Sequence, residues 1–555
     1  MLRVLCYSKN MKKYVIKIDR TDKKSILQYC RENGIDLCPA PCGGKGTCGK
    51  CKVHVTKPYD KVVLACQTEA VNGMEIAPVR DESENMVVLQ GDKVSDDTVD
   101  EKDRHDDLDR RIVSPKDGIR DRSSDVICAA CDIGTTTVVC SIIDPVTKDV
   151  LASRAGANPQ RSFGADVVSR IEAACADDDN LKTMNNAIVN LISGWITDMI
   201  QKLGVEKIKL LTVAANTTMC HLFAGISPEK IGKAPFMPDE LFGKEYKGAG
   251  IGILNCEKVY IIPAVSGYVG GDITAGMAEC IDADEMTLYL DIGTNGEMAL
   301  GRGGKYLCAA TAAGPAFEGA QIEMGMPGQK GAIDKVWLEG RKICYSVIGN
   351  VRPLGICGSG IIDAVAVFLD TGIIDENGTI KDMADIPLWY RPYVEVFDDE
   401  DDDEDIYPAE KVVHISPEVI LNQDDIRKIQ LAKSAIAAGI DVLNKEYGIT
   451  YKEIDRVCLA GGFGNYLDQK SAARIGLIPE KLLKKTVSVG NAAQKGAIAT
   501  AYIYEDHGSK TETKILNKDI INKTNTIIST MAYIELSTYP GFDEMYVSHI
   551  NFTCP

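Results

Sequence analysis

At 555 residues the chain has room for three or four domains, and with 45% hydrophobic and 26% charged residues it can bury several cores, which excludes a single small module and global disorder. Lys and Arg total 62 against 80 Asp and Glu, and the resulting field of a −18 chain repels phosphate backbones and anionic lipid, so nucleic acid and membrane surfaces are excluded as partners. No run of 18 or more apolar residues occurs, and the N-terminus lacks the apolar stretch of a signal peptide; the expectation is a cytoplasmic protein whose 19 cysteines serve as thiols and ligands rather than as a disulfide framework.

The first elements are a short strand over 14–18, a helix over 25–33, a Gly- and Cys-rich loop, a strand over 52–55 and two further β-rich runs ending at 76–79. That order suits a small α+β domain of the β-grasp type over 12–79. Between 82 and 125 the composition shifts to Asp, Lys and Arg, which reads as a charged linker region over 80–125. An α/β region follows. Within it Asp132-Ile133-Gly134-Thr135 returns as Asp291-Ile292-Gly293-Thr294, 159 residues later, each copy after one apolar strand-like run and before another. That offset is domain-sized, so two related halves are expected over 126–285 and 286–506. In the second, the acidic run over 398–405 reads as a solvated loop. A helix over 424–447, with Ile429, Ala432, Ile436, Ile440 and Leu443 at helical spacing, leads to a strand over 456–459 and the turn Ala460-Gly461-Gly462-Phe463-Gly464. The tail over 507–555 shows no clear period and is left unassigned.

The loop Cys42-Gly43-Gly44-Lys45-Gly46-Thr47-Cys48-Gly49-Lys50-Cys51, followed by Cys66, is a C-x5-C-x2-C…C pattern. Four thiolates are what an iron–sulfur cluster requires, and glycines permit the positive φ with which a backbone wraps one closely. Zinc sites favour two separated C-x2-C pairs; this segment holds only one. The pattern resembles the plant-type two-iron ferredoxins, with the five-residue first gap of the vertebrate type. It points to a 2Fe–2S cluster held by Cys42, Cys48, Cys51 and Cys66, with Cys38 as a structural neighbour able to replace Cys42 if the register differs.

Asp132-Ile133-Gly134-Thr135-Thr136-Thr137 lies between two strand-like runs, as a hairpin tip would. Gly134 lets the backbone approach a phosphate, Thr135, Thr136 and Thr137 offer hydroxyl and amide donors, and Asp132 can hold Mg²⁺ directly or through water. Asp291, Gly293, Thr294, Asn295 and Gly296 repeat these roles. One such turn is a weak signal; two copies and the later strand into Gly461-Gly462-Phe463 are stronger. Together they resemble the phosphate and adenosine motifs of the superfamily of actin, sugar and acetate kinases and ATPase chaperones (ASKHA), whose fold is a duplicated ribonuclease-H-like α/β domain binding ATP. No G-x4-G-K-[ST] loop is present.

A two-iron ferredoxin module ahead of such an ATPase resembles the reductive activators of corrinoid proteins, over roughly 12–504. The resemblance also rests on Asn216-Thr217-Thr218-Met219, Gly314-Pro315-Ala316-Phe317-Glu318-Gly319 and Cys357-Gly358-Ser359-Gly360, and departs at Ala215, where a glycine is expected. It implies a fold in which a ferredoxin β-grasp domain precedes the ATPase halves, and a function: ATP-dependent return of cobalt(II) to cobalt(I) in the corrinoid protein of a methyltransferase system, drawing on a low-potential electron donor. A homodimer is also implied. The corrinoid would belong to the partner, since no D-x-H-x-x-G cobalamin signature occurs. An electron-input component for another low-potential enzyme would keep both modules; a small-molecule kinase would not need the ferredoxin domain.

Other residues carry plainer readings. Cys128 and Cys131 precede Asp132 on an apolar strand and read as structural rather than as a redox pair. Cys140, Cys220, Cys308, Cys344 and Cys458 read as small core residues. His221, beside Leu222-Phe223, reads as a packed imidazole rather than a metal ligand. Glu318 could position water or a partner, or be a plain surface carboxylate.

Overall fold

The computed structural model describes residues 14–16, 24–33, 35, 37–38, 40, 43–46, 51–79, 126–319, 321–397, 410–461, 467–501 and 516–552. The expected linker over 80–125, the acidic run over 398–405, and Cys42, Cys48, Gly462 and Phe463 lie outside the described residues. The chain divides into two compact units. One holds the described residues of Met1–Met86, Asp100–Ala275 and Gln494–Ile521; the other holds those of Gly276–Ala493 and Asn522–Pro555.

In the first unit, strands β1 (Tyr14–Val15), β2 (Lys52–Lys57), β3 (Lys61–Leu64) and β4 (Glu75–Pro78) form a sheet in the order β1-β4-β2-β3. The helix Ile26–Glu32 starts at a capping box in which Ser25 and Gln28 satisfy each other's backbone amides. It buries Ile26, Leu27 and Cys30 with Val53, Val55, Met74 and Ile76. Cys38 is in this core, as is Cys51.

The same unit holds a six-stranded sheet of β5 (Cys128–Ile133), β6 (Thr137–Ile143), β7 (Val150–Ala157), β8 (Ile208–Ala215), β9 (Lys244–Lys247) and β10 (Cys256–Ile261), in the order β7-β6-β5-β8-β10-β9. β5 and β6 are an antiparallel hairpin, whereas β8 and β10 join in parallel through helical crossovers. Pleating sends Ala129, Cys131 and Ile133 of β5 into the core with Ile188, Ile192 and Ile196 of the helix Asp178–Lys202. Backbone groups from the same sheet take polar contacts from the helix Ala492–Thr500: Gln494 donates to the Ala130 carbonyl at 3.2 Å, and Thr212 donates to the Ala497 carbonyl at 2.7 Å.

The second unit repeats the order. Strands β11 (Thr287–Ile292), β12 (Gly296–Arg302) and β13 (Lys305–Thr311) run antiparallel, and two later strands, Arg456–Ala460 and Thr486–Gly490, add in parallel on the β11 side. Between β13 and Arg456–Ala460 the chain inserts two three-stranded sheets and the helices Gly358–Thr371 and Gln423–Tyr447. Ile429, Ala432, Ile436, Ile440 and Leu443, the expected helical stripe, are buried in the large core with Ile361 and Phe368. Each such isoleucine is worth about 2 kcal/mol of burial.

The tail left unassigned from its composition has structure over 516–552. After the helix Lys518–Thr530, strand Met531–Ile534 extends the sheet parallel to β13, and the helix Phe542–Ser548 packs on Gln423–Tyr447. Lys433 is 1% exposed; its ammonium donates to the carbonyls of His549 and Asn551 and lies 5.4 Å from the Phe552 ring centroid. A buried ammonium needs such partners, and these bind the chain terminus to the helix.

Candidate functional site

The cluster loop is shaped by its glycines: Gly43, Gly44 and Gly46 have φ of +65°, +96° and +82°. The β2–β3 hairpin pairs Lys52 with Leu64, and the Ala65 amide donates to the Cys51 carbonyl at 2.8 Å. Cys51 and Cys66, flanking that pairing, therefore meet, with their sulfurs 3.2 Å apart. That is too far for a disulfide and close enough for two thiolates of one cluster. The thiols present fit the group.

Gly134 lies at the tip of the β5–β6 hairpin. Four residues separate the paired Ile133 and Val138, and the Gly134 amide donates to the Thr137 carbonyl at 2.9 Å. A Cβ on Gly134 would stand 2.7 Å from that carbonyl oxygen, so the turn admits only glycine. The next three carbonyls are held from behind. Asn158 Nδ2 donates to Gly134 O at 2.8 Å, Arg170 Nη2 to Thr135 O at 2.5 Å, and the Asn158 amide to Thr136 O at 2.8 Å. Both side chains are fully buried. Carbonyl oxygens repel an anion, so occupying all three with donors suits the hairpin to phosphate. Asn216 caps the helix Thr217–Ala224 through Met219 N at 2.9 Å, and its Nδ2 donates to Thr135 Oγ1 at 3.1 Å. The glycine expected at Ala215 is not needed there. The close approach falls at Gly270, where a Cβ would stand 2.4 Å from Asn216 Cα.

The hairpin of the second unit is one residue shorter, with three residues between Ile292 and Gly296. Asp291 holds the position in β11 that Asp132 holds in β5, and the burial pattern of the two strands is the same along all six residues. Gly293 N donates to Asn295 O at 2.9 Å, and Thr294 Oγ1 donates to Glu318 at 2.7 Å. Glu318 is therefore a partner of the turn. Glu297 stands directly across the hairpin from Asp291. The strand Arg456–Ala460 pairs in register with β11 and delivers Gly461, φ +90°, to Asp291: a Cβ there would be 2.7 Å from Asp291 Oδ1. Among the described residues no group of three or more metal-binding side chains is assembled.

Three family models match the chain in series: the 2Fe–2S iron–sulfur cluster binding domain at 13–71, the RACo middle region at 127–282, and the C-terminal ASKHA domain of RACo at 285–554. A corrinoid activation enzyme, RamQ of Eubacterium limosum, is 32% identical over 97% of both chains. The chain belongs to the RACo family, the reductive activators of corrinoid proteins. A Methanosarcina barkeri protein described as [Co(II) methylated amine-specific corrinoid protein] reductase is 24% identical over 76% of each chain. The solved structure of a reductive activator for corrinoid, iron–sulfur protein matches 97% of this chain and 96% of its own at 31% identity and a TM-score of 0.65. The RACo fold thus comprises a 2Fe–2S ferredoxin domain followed by an ASKHA, ATP-binding region. No described helix is long and apolar enough to cross a membrane.

Several plainer readings also meet the RACo framework. Cys128 and Cys131 are fully buried; desolvation raises the Cys128 thiol to about 12 and Cys131 also upward, so neither is a thiolate at neutral pH. Cys140, Cys220, Cys308 and Cys458 are core residues, but Cys344 is not: on an edge strand it is half-exposed, 3.7 Å from a Glu339 carboxylate oxygen. His221 is buried, bonded through Nδ1 to Thr217 O at 2.8 Å, and packed edge-on against Phe242; burial lowers its pKa. The Cys357-Gly358-Ser359-Gly360 run serves packing. Ser359 donates to Asp334 O at 2.8 Å, and a Cβ on Gly360 would stand 2.4 Å from Ile333 O. Asp272, in the first turn of the helix Gly271–Cys280 and not singled out from the sequence, has its carboxyl raised to about 6 by desolvation against its amide hydrogen bonds.

Proposed function

We propose that the protein is an ATP-dependent reductive activator of a corrinoid protein, returning cobalt(II) to cobalt(I) in a methyltransferase system. The single observation that carries this is the full-length match to a corrinoid activation enzyme, joined to two phosphate-type hairpins and a cysteine loop on one chain. We assign Cys42, Cys48, Cys51 and Cys66 as the ligands of a 2Fe–2S cluster, which when bound supplies one-electron chemistry. Asp132 and Asp291 hold Mg²⁺ directly or through water. Gly134, Thr135, Thr136 and Thr137 on one hairpin and Gly293, Thr294, Asn295 and Gly296 on the other bind phosphate. We assign Gly461, Gly462 and Phe463 to binding of the adenosine. The working domain limits are 12–79, 80–125, 126–285 and 286–506, and the protein acts in the cytoplasm with a low-potential electron donor.

An ATPase is needed on energetic grounds. A plant-type cluster near about −400 mV facing an acceptor roughly 300 mV lower makes the transfer uphill by about 7 kcal/mol, at 59 mV per tenfold step. The test mixes the anaerobic full-length protein, MgATP and titanium(III) citrate with a cobalt(II) corrinoid protein. Cobalt(I) absorption that appears only with ATP, together with ADP, supports the reading. ADP formed on sugars with no change at cobalt would identify a kinase instead.

A further inference from the structure

Within the first unit the cluster domain and the phosphate hairpin touch one short stretch of chain from opposite ends. Arg31, at the end of the helix Ile26–Glu32, donates through Nε to the Ser162 carbonyl at 2.7 Å and through Nη2 to the Ser162 carbonyl and to Gly43 O, the latter at 3.0 Å. Its guanidinium lies 4.8 Å from the centroid of the Phe163 ring. Gly43 belongs to the cluster loop and fits against this stretch closely: a Cβ on it would be 3.3 Å from Phe163 O. Lys45 of the same loop pairs with Glu172 at 2.9 Å. At the other end, Asn158 holds two carbonyls of the phosphate hairpin, and its Oδ1 accepts from Gln160 N at 2.9 Å. Arg170, with no exposed surface, donates to Gly164 O at 3.0 Å with Nε and to Thr135 O with Nη2. One side chain therefore links the residue next to Phe163 to the hairpin.

The chemistry of these contacts makes the stretch stiff. Asn158, Gln160 and Arg170 are wholly buried and Phe163 is 2% exposed. A buried guanidinium stays charged and keeps its acceptors, because losing one leaves an uncompensated charge. A change in the hairpin that moves Thr135 or Gly134 must carry Asn158 and Arg170 with it, and with them the carbonyl and ring on which Arg31 rests.

We propose that Arg31 is a positioning residue for the nucleotide hairpin, acting through Ser162, Phe163 and the buried Arg170, so that docking of the cluster domain and binding of a nucleoside triphosphate are thermodynamically linked. This rests on the reading that the 132–137 hairpin holds the nucleotide and the N-terminal domain the cluster. Linkage is reciprocal: if nucleotide changes how firmly the cluster domain is seated, loosening the seat changes nucleotide affinity by the same factor.

The experiment uses full-length holoprotein and a non-hydrolysable ATP analogue with Mg²⁺. In the wild type, hydrogen exchange should change on analogue binding over 24–33 as well as over 132–137. In Arg31→Ala, with the visible spectrum of the cluster retained, the Kd of the analogue by calorimetry should shift by about fivefold or more, the lower range of measured coupling. Arg31→Lys, which keeps the charge without the fork, should fall between. A purely structural arginine in the ferredoxin domain would leave that Kd alone. Exchange over 24–33 indifferent to an analogue that protects 132–137 overturns the linkage, as does a Kd within about twofold of wild type in a cluster-bearing Arg31→Ala protein. Should Arg31→Ala lose its cluster, the wild-type exchange pattern alone decides. Failure of the wild type to bind the analogue at all would overturn the nucleotide reading itself, a result distinct from either.

Discussion

Replacing Gly461 by alanine tests the second hairpin with a single methyl group. Gly461 has φ +90°, and the added Cβ would stand 2.7 Å from Asp291 Oδ1 and 3.2 Å from Ile292 O. The backbone cost of a left-handed alanine is about 1–2 kcal/mol. Ordinary contact begins at 3.4 Å, so the Asp291 carboxylate must also withdraw by about 0.7 Å, or the strand Arg456–Ala460 must slide along β11. A misplacement of about 1 Å costs up to roughly 100-fold in rate, close to 2.7 kcal/mol of barrier. The control is Gly448→Ala: Gly448 caps the helix Gln423–Tyr447 with φ +80°, and its Cβ would meet nothing within 4 Å. Both variants should lose about 1–2 kcal/mol of stability in thermal denaturation. Only Gly461→Ala should lower ATP hydrolysis, by about 10- to 100-fold, with the cluster spectrum unchanged. If the two variants hydrolyse ATP at the same rate, Asp291 is not held at the nucleotide by this contact.

Anaerobically purified protein should carry about two irons and two sulfides per chain, and Cys48→Ala or Cys51→Ala should lose them; zinc in their place, or a full cluster in either variant, refutes the ligand assignment. Asp132→Ala should abolish ATP hydrolysis and leave the cluster spectrum intact, and hydrolysis surviving in both Asp132→Ala and Asp291→Ala would mean that the phosphate loops are misplaced. Asp272, raised to about 6 by desolvation from an ordinary carboxylate value near 3.9, binds its proton more tightly folded than unfolded. Its stabilising contribution is complete below about pH 4 and is lost as pH rises through about 6, so Asp272→Asn should flatten the fall in melting temperature over that window. Parallel pH profiles for Asp272→Asn and wild type would place the carboxyl in a solvated setting.

The duplicated hairpins were legible because they repeat. Asp132 and Asp291 occupy the same place in two sheets that share the order of five strands, and close approach leaves a glycine in the sequence at Gly134, against Thr137 O, and at Gly461, against Asp291 Oδ1. The meeting of Cys51 and Cys66 is the part of the thiol pattern that the described residues show, and the β2–β3 hairpin closes the gap between them. What escaped depends on partners distant in the chain. Arg170 and Lys433 are charged residues on helices with no local signal of burial; each is buried where carbonyls from elsewhere accept from it, Thr135 and Gly164 for the first, His549 and Asn551 for the second. The tail was illegible for the same reason. Its strand Met531–Ile534 has no partner nearby in sequence and pairs with β13, more than 200 residues earlier. Ala215 misled because the tight contact at Asn216 is made from the other side, by Gly270.

Nucleotide can assist an uphill electron transfer only by binding two states of the protein unequally; a ligand with equal affinity for both shifts nothing, and moving a population from 1:99 to 99:1 needs about 5.5 kcal/mol of differential binding. The question for this chain is therefore which contact differs between states. The hairpin itself has little freedom, since its three carbonyls are held by buried Asn158 and Arg170 and its first turn by the Gly134–Thr137 hydrogen bond. The described contacts of the cluster domain include the Arg31 guanidinium on the Ser162 carbonyl and the Phe163 ring, Gly43 close to Phe163 O, and the Lys45–Glu172 pair with both side chains more than half exposed. An exposed pair of that kind contributes about 0.2–1 kcal/mol. If the 132–137 hairpin holds the nucleotide, the proposed linkage places the variable term at the seat of Arg31, which joins the cluster domain to the stretch that Asn158 and Arg170 tie to the hairpin. On that proposal Arg31 is the point at which nucleotide binding is converted into movement of the electron-carrying domain.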